Sequence, residues 1–298
     1  MIVAIGLVVV AVGTVVFHFM SPWWWTPIAS NWGYIDDTII LTFWITGVVF
    51  VAVILFTAYC VLKFKYRPEA RAQYKPEDHK LEWWLTILTS VGVAAMLIPG
   101  LFVWNQFVTV PDNATNVDVM AKQWSWHYRL PGKDGKLGKS NVRHINDENP
   151  FGVDPKDPAG MDDVLIDGDS LHLPLNKPVK MLLRSIDVLH NFYIPEFRAK
   201  MDMVPGAITY YWVEPIRTGT FDVLCFELCG VGHHAMRSQV VVEKQDAYDA
   251  WLAEQMTFTK SLAESGTSAA ALIKLAVEKA KAARDALPKG LHPPKAMH

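Results

Sequence analysis

The stretch CFELCGVGHHAM at residues 225–236 places five metal-binding side chains in one loop: Cys225, Glu227, Cys229, His233 and Met236. Two thiolates, an imidazole and a thioether form a soft donor set that suits copper better than calcium or magnesium. A second imidazole is available upstream, His190 in DVLHNFYIP. A disulfide between Cys225 and Cys229 is the other use of two nearby cysteines. The His and Met close behind them favour metal.

Short strands surround this loop. From Asn116 the chain breaks into NVDVMA at 116–121, WSWHYRL at 124–130, VKMLLRSI at 179–186, ITYYWVE at 208–214, TFDVLC at 220–225 and SQVVVEK at 238–244. Such runs, separated by Pro, Gly and Asp, predict an antiparallel sandwich or barrel. A metal loop between two late strands, joined by a His from an earlier one, follows cupredoxin logic. A single-copper cupredoxin uses one cysteine; two thiolates on one tight loop can bridge a pair of copper ions that share one electron. A structural zinc held by Cys225, Cys229, His190 and His233 stays open, although it leaves Met236 unused.

The other half of the chain has a different character. Of 298 residues, 51% are apolar and 12% aromatic, and the long apolar runs lie before residue 110. About 20 apolar residues cross a bilayer, and three stretches qualify, near 2–20, 39–62 and 83–108. The first lacks a basic leader and a small-residue cleavage site, so it reads as a retained helix. The stretch 63–80 holds Lys63, Lys65, Arg67, Arg71, Lys75 and Lys80, whereas 21–37 holds no Lys or Arg and has Trp23, Trp24 and Trp25 as an interfacial belt. Basic loops stay inside, which puts everything after about residue 110 on the outer, periplasmic side. A formal charge of −2 with no basic stripe argues against nucleic acid. No Cys-x-x-Cys-His is present for haem c, and Cys60, the third cysteine, reads as a buried inert thiol.

These residues resemble subunit II of haem-copper cytochrome c oxidases, the subunit that carries the dinuclear CuA centre, over roughly residues 37–256. The resemblance implies N-terminal transmembrane α-helices, three here, followed by an all-β cupredoxin-like sandwich domain with a helical C-terminal tail. The organisation is a membrane anchor at 1–109, an extracytoplasmic CuA domain at 110–256 with an insertion at 131–170, and a peripheral, partly loose tail at 257–298. It implies two copper ions: Cys225 and Cys229 bridge both, His190 and Met236 complete one, and His233 with the Glu227 carbonyl completes the other. Trp124 in QWSWHY becomes the electron inlet from cytochrome c, with Trp126 beside it. Asp202 and the Glu227 carboxylate become ligands of a Mg or Mn ion shared with subunit I. Glu82 becomes the mouth of a proton path on the inner face. Asp187 matches a family Asp near the copper site; His127, His144, His172 and His234 are bystanders.

The implied function is electron transfer from cytochrome c to haem in subunit I, in a respiratory complex that reduces O2 to water and translocates protons. Partners are subunits I and III, and the place is the bacterial plasma (inner) membrane. A CuA subunit of a nitric oxide reductase or a quinol-fed oxidase shares these features, and a membrane-anchored copper-delivery protein shares fewer. The first helix and the 131–170 insertion exceed the family pattern. The acids of that insertion, including Asp154, Asp157, Asp162 and Asp163, read first as a solvated loop; a flap near the copper site that steers a basic cytochrome and a calcium-binding loop are the alternatives.

Overall fold

The structure is a computed structural model that describes residues 1–21, 26–71, 74–146, 149–168, 170–266 and 268–285. The tryptophans at 23–25, expected as an interfacial belt, lie outside the described residues. The chain divides into two units, one of residues 1–28 and 32–109, the other of residues 29–31 and 110–298.

The first unit is helical: α1 (Ile2–Met20), α2 (Gly33–Lys63) and α3 (His79–Val108). At about 1.5 Å per residue, the 19, 31 and 30 residues of these helices are each long enough to cross a membrane. Their apolar residues point outward on every side, including Trp44, Phe56, Trp84 and Phe102. A helix that is apolar all round belongs in lipid or against other membrane helices. Helix α3 starts four residues before its apolar run because Asp78 caps it, accepting from the Leu81 N–H at 3.2 Å. Its first-turn acid is Glu82, a residue type the positive end of the helix favours. Helices α1 and α2 meet through rings, with His18 5.6 Å from Phe43 and Phe19 6.5 Å from Trp44.

The second unit is a sandwich of two five-stranded sheets. Its strands are β1 (Thr115–Lys122), β2 (Ser125–Leu130), β3 (Val164–Asp167), β4 (Leu171–Pro174), β5 (Val179–Ser185), β6 (His190–Ile194), β7 (Ala199–Met203), β8 (Thr209–Val213), β9 (Gly219–Cys225) and β10 (Arg237–Glu243). One sheet runs β3-β2-β1-β5-β8 and the other β4-β10-β9-β6-β7. The sandwich is not wholly antiparallel, since β1 pairs with β5 and β10 with β4 in parallel. Alternation along the strands fills the space between the sheets: Val117, Val119 and Ala121 of β1, Trp126, Tyr128 and Leu130 of β2, and Phe192 and Ile194 of β6 are all buried. Phe192 is the hub, its ring 5.2 Å from Trp126 and 6.3 Å from both Tyr128 and Tyr211.

A second apolar layer covers the outer face of β1. Met120 packs there with Phe151 and Val153 of the insertion and with Phe258, Leu262 and Leu272. The last three belong to α5 (Phe258–Glu264) and α6 (Ala269–Asp285), which follow α4 (Gln245–Glu254). Backbone bonds tie the same join, Phe258 N–H to Asp163 O at 2.8 Å and Leu165 N–H to Met256 O at 3.0 Å. The helical character expected after 256 holds for the described residues, and only its peripheral placement is corrected. Phe258 and Leu272 are core residues, because Met120 on the outer side of β1 and Phe151 and Val153 of the insertion form an apolar patch that must be covered.

One acid of the insertion, Asp163, turns inward. Arg129, 2% exposed, donates to Asp163 at 3.0 Å and to Asp118 at 2.9 Å, both carboxylates fully buried. Arg184 binds Asp118 from the other side, its Nε 2.8 Å from Oδ1. Asp157 accepts from the Lys139 N–H at 2.8 Å, Asp162 from Asp134 at 3.2 Å and Asp154 from Lys156 at 3.0 Å. These carboxylates are committed to shaping the loop. The insertion leaves β2 at Leu130, about 20 Å from Trp124 at 3.4 Å per residue, and returns along it as β3, so Asp163 beside Val164 lies at the Leu130 end while Asp167 comes back opposite His127. Asp154, Asp157 and Asp162 stay at the loop surface, as the solvated-loop reading expects, and Asp163 is buried at the Leu130 end, so these four acids form no flap beside the copper loop.

Candidate metal centre

Three segments converge at one end of the sandwich: the loop from β9 to β10, the first residue of β6, and the turn from β1 to β2. Backbone bonds fold the loop back on itself, with Cys225 N–H to Met236 O at 3.3 Å and Met236 N–H to His233 O at 3.2 Å. Phe226 N–H donates to Asn191 O at 3.2 Å, which docks the loop on β6. Gly232 must be glycine, because a Cβ there would lie 2.4 Å from the Trp124 ring.

The donor atoms gather closely. Cys225 Sγ lies 3.7 Å from Cys229 Sγ, 3.8 Å from His190 Nδ1 and 3.2 Å from the Glu227 carbonyl oxygen. Cys229 Sγ lies 3.5 Å from His233 Nδ1 and 3.9 Å from Met236 Sδ. Cys225, Cys229, His190 and Met236 are buried, His233 is half-buried, and His234 points outward as expected of a bystander. All six donor residues expected from the sequence are brought together. Donor distances of 3 to 4 Å from one another are what atoms around a shared soft cation require.

Electrostatics favour a cation here. Burial opposes ionisation of Cys225 but is outweighed by hydrogen bonding to His190 and to the Glu227 backbone, which holds that thiol low. Burial and the neighbouring Cys225 push the Cys229 thiol up. Two thiols this close hold one negative charge between them, and a bound cation is what lets both ionise. The imidazole of His190 is already oriented for ligation. Its Nε2 is 2.8 Å from Asp187 Oδ1, which leaves Nδ1 facing the sulfurs, the arrangement that outer carboxylates impose on metal-binding histidines. Asp187 also accepts from the Gln123 N–H at 2.7 Å and the Val188 N–H at 2.7 Å. Burial works against the charge on Asp187, but these bonds keep its carboxyl below the usual range.

The two tryptophans part company. Trp124 sits in the turn, 42% exposed, its ring over Gly230 and Gly232 and its Nε1–H donating to Cys229 O at 3.2 Å. Trp126, 1% exposed, points into the core, with its ring centroid 6.5 Å from that of His190. Asp202 is exposed and accepts from Asn191 Nδ2 at 2.7 Å. Among the described residues, Asp202 and Glu227 do not gather with a third acid, His or Cys. Glu82 is exposed, 3.4 Å from His79. Gln123 escaped the sequence reading, although its Nε2 donates to Cys229 O at 2.8 Å. The available signal was its place directly before Trp124.

Residues 115–245 match the family model described as cytochrome c oxidase subunit II, periplasmic domain. An alternative cytochrome c oxidase subunit 2 from Bradyrhizobium diazoefficiens is 64% identical over 258 residues, 87% of this chain and 93% of the relative. The chain belongs to the cytochrome c oxidase subunit II family. Another member, the cytochrome c oxidase subunit 2 of Cereibacter sphaeroides, is 29% identical over 76% of this chain and 77% of its own. The solved periplasmic domain of subunit II from Bradyrhizobium japonicum is 25% identical and covers 49% of this chain and 95% of its own, with a TM-score of 0.36. As a family member the chain is a membrane-anchored subunit of a cytochrome c oxidase, a haem-copper oxidase. The copper binding that the family implies falls on the His190, Cys225 and Cys229 cluster.

Proposed function

We propose that the cluster is a dinuclear CuA centre that takes electrons from cytochrome c and passes them to haem in subunit I, for reduction of O2 to water coupled to proton pumping. The observation that carries this reading is the pair of sulfurs 3.7 Å apart, with His190 Nδ1 flanking Cys225 and both His233 Nδ1 and Met236 Sδ flanking Cys229. Cys225 and Cys229 would bridge both ions, His190 and Met236 would complete one, and His233 with the Glu227 carbonyl the other. Copper held this way supplies reversible one-electron storage without an open position for substrate. The protein's part is to fix that donor set before any ion arrives. Burial excludes water, Asp187 fixes the His190 ring, and Gln123 and Trp124 clamp the Cys229 carbonyl.

Trp124 is the electron inlet in this reading, since it is the exposed ring joined to the cluster by a hydrogen bond. Trp126 supports the site as packing behind His190. Glu227 and Asp202 would complete a Mg or Mn site with groups from subunit I, and Glu82 would open a proton path there. The sandwich would lie on the periplasmic face of a bacterial inner membrane, with subunit III among its neighbours. The division into an anchor at 1–109 and a CuA domain at 110–256 belongs to the same proposal.

The test is metal content and paramagnetic resonance of the purified full-length chain. Two coppers per chain, with one unpaired electron spread over two nuclei, is the expected result. One copper per chain, or zinc alone, overturns the dinuclear assignment.

A further inference from the structure

Strands β2 and β3 line up three polar side chains on the outer face of the first sheet. Ser125 and His127 are two apart on β2 and share a side, and His127 lies directly opposite Asp167 in antiparallel register. Ser125 Oγ is 3.0 Å from His127 Nε2, and His127 Nδ1 is 2.7 Å from Asp167 Oδ1. A carboxylate only accepts, so it fixes the imidazole proton on Nδ1 and leaves the Nε2 lone pair for the Ser125 hydroxyl. Nucleophile, base and orienting carboxylate stand in the order that activates a serine. None of the three takes part in the metal centre.

We propose that Ser125 is a nucleophilic site for acyl and phosphonyl electrophiles, with His127 as its general base and Asp167 as the residue that positions the base. Ser125 Oγ attacks the electrophilic carbon or phosphorus and its proton passes to His127 Nε2. The bond to the leaving group breaks and that group departs with its electron pair, so the step involves no oxidation or reduction. Ser125 is half-buried, the His127 side chain is 13% exposed and held between Ser125 and Asp167, and Asp167 is 86% exposed. Burial keeps the His127 imidazole below its usual range, against the pull of Asp167, so the ring is a neutral base near pH 7. The three groups account for one transfer per chain. Turnover would need donors aimed at the oxyanion, a separate contribution of about a hundredfold or more.

The experiment treats the full-length, detergent-solubilised chain with a fluorophosphonate probe and maps the adduct by peptide mass spectrometry. Here the P–F bond breaks and fluoride leaves. The expected result is an adduct on Ser125, absent from Ser125→Ala, that forms about a hundredfold more slowly in His127→Gln. Asp167→Asn should slow it by about tenfold or more, because the amide can donate to Nδ1 and leave the proton on Nε2, the tautomer that cannot accept from Ser125. Asp167 is exposed, so this variant decides the matter if His127→Gln fails to fold. No adduct on Ser125 in the unaltered chain, or a rate that neither His127→Gln nor Asp167→Asn lowers, overturns the proposal.

Discussion

The indole N–H of Trp124 donates to the carbonyl oxygen of Cys229 at 3.2 Å. An exposed ring is thereby joined, through one hydrogen bond, to the backbone of a residue whose sulfur belongs to the donor cluster. Gln123 Nε2 holds the same oxygen at 2.8 Å. The Gln123 backbone N–H meanwhile binds Asp187, the residue that orients His190. The turn between the first two strands therefore grips the metal centre from both the cysteine and the histidine side.

Trp124→Ala removes the exposed ring and its bond to Cys229 but no donor atom of the cluster. Electron uptake from reduced cytochrome c, followed by stopped flow, should slow by about tenfold or more, equivalent to roughly 1.4 kcal/mol of barrier. The copper absorption spectrum should stay unchanged. Trp124→Phe keeps a ring over Gly232 and should fall between. An unaltered rate in both variants would mean that Trp124 only covers the loop.

Asp187→Asn keeps the side-chain shape and an oxygen for the Gln123 N–H but removes the charge facing His190. Outer carboxylates of this kind are worth about 10- to 100-fold in metal affinity. Copper affinity, measured by chelator competition, should fall within that range while the fold is retained. Equal affinity would show that Asp187 serves only its own turn.

The site was legible in the sequence because most of it is local. Five donor residues lie within twelve positions of one another, and β9 and β10 leave their loop little room to spread. His190 was legible by residue type alone, since its nearness to Cys225 depends on β6 pairing with β9. Gln123 and Asp187 were harder to place, because a bond spanning 64 residues leaves no periodicity to read. The short strands β3, β4, β6 and β7 were missed because four or five residues carry too little alternation, and the parallel pairing of β1 with β5 leaves no turn signal between them. Among the named acids of the insertion Asp163 alone is buried, which composition could not tell, because it does not say which way a carboxylate points.

Residues after 256 were read as a tail, and a single substitution tests how firmly they are held. Phe258 is fully buried in the layer over Met120. Phe258→Ala should cost about 3–5 kcal/mol, the usual range for emptying a buried aromatic site. The denaturant midpoint of the sandwich should fall with little change in slope. Copper content per folded chain should not change, because this layer lies outside the sheet that carries the metal loop. A shift of only a few tenths of a kcal/mol would restore the reading of a peripheral tail.

Asp163 makes the stability of the sandwich fall as pH rises. Burial pushes its carboxyl up to about 7, against Arg129 and the Gly138 N–H, which pull it down. In the unfolded chain an Asp titrates near about 3.9. Between these values the folded chain binds a proton that the unfolded chain has released, so stability falls as pH rises. The contribution is fully present below about pH 4 and is lost as pH rises through about 7. Asp163→Asn cannot release a proton, so its unfolding temperature should fall less between pH 5.5 and pH 8 (roughly the window in which a carboxyl raised to neutrality discharges). Equal slopes for the two proteins would show that the pull of Arg129 prevails over burial and keeps Asp163 ionised throughout. The buried group would then be a fixed ion pair between the insertion and β2, with no part in the response to pH.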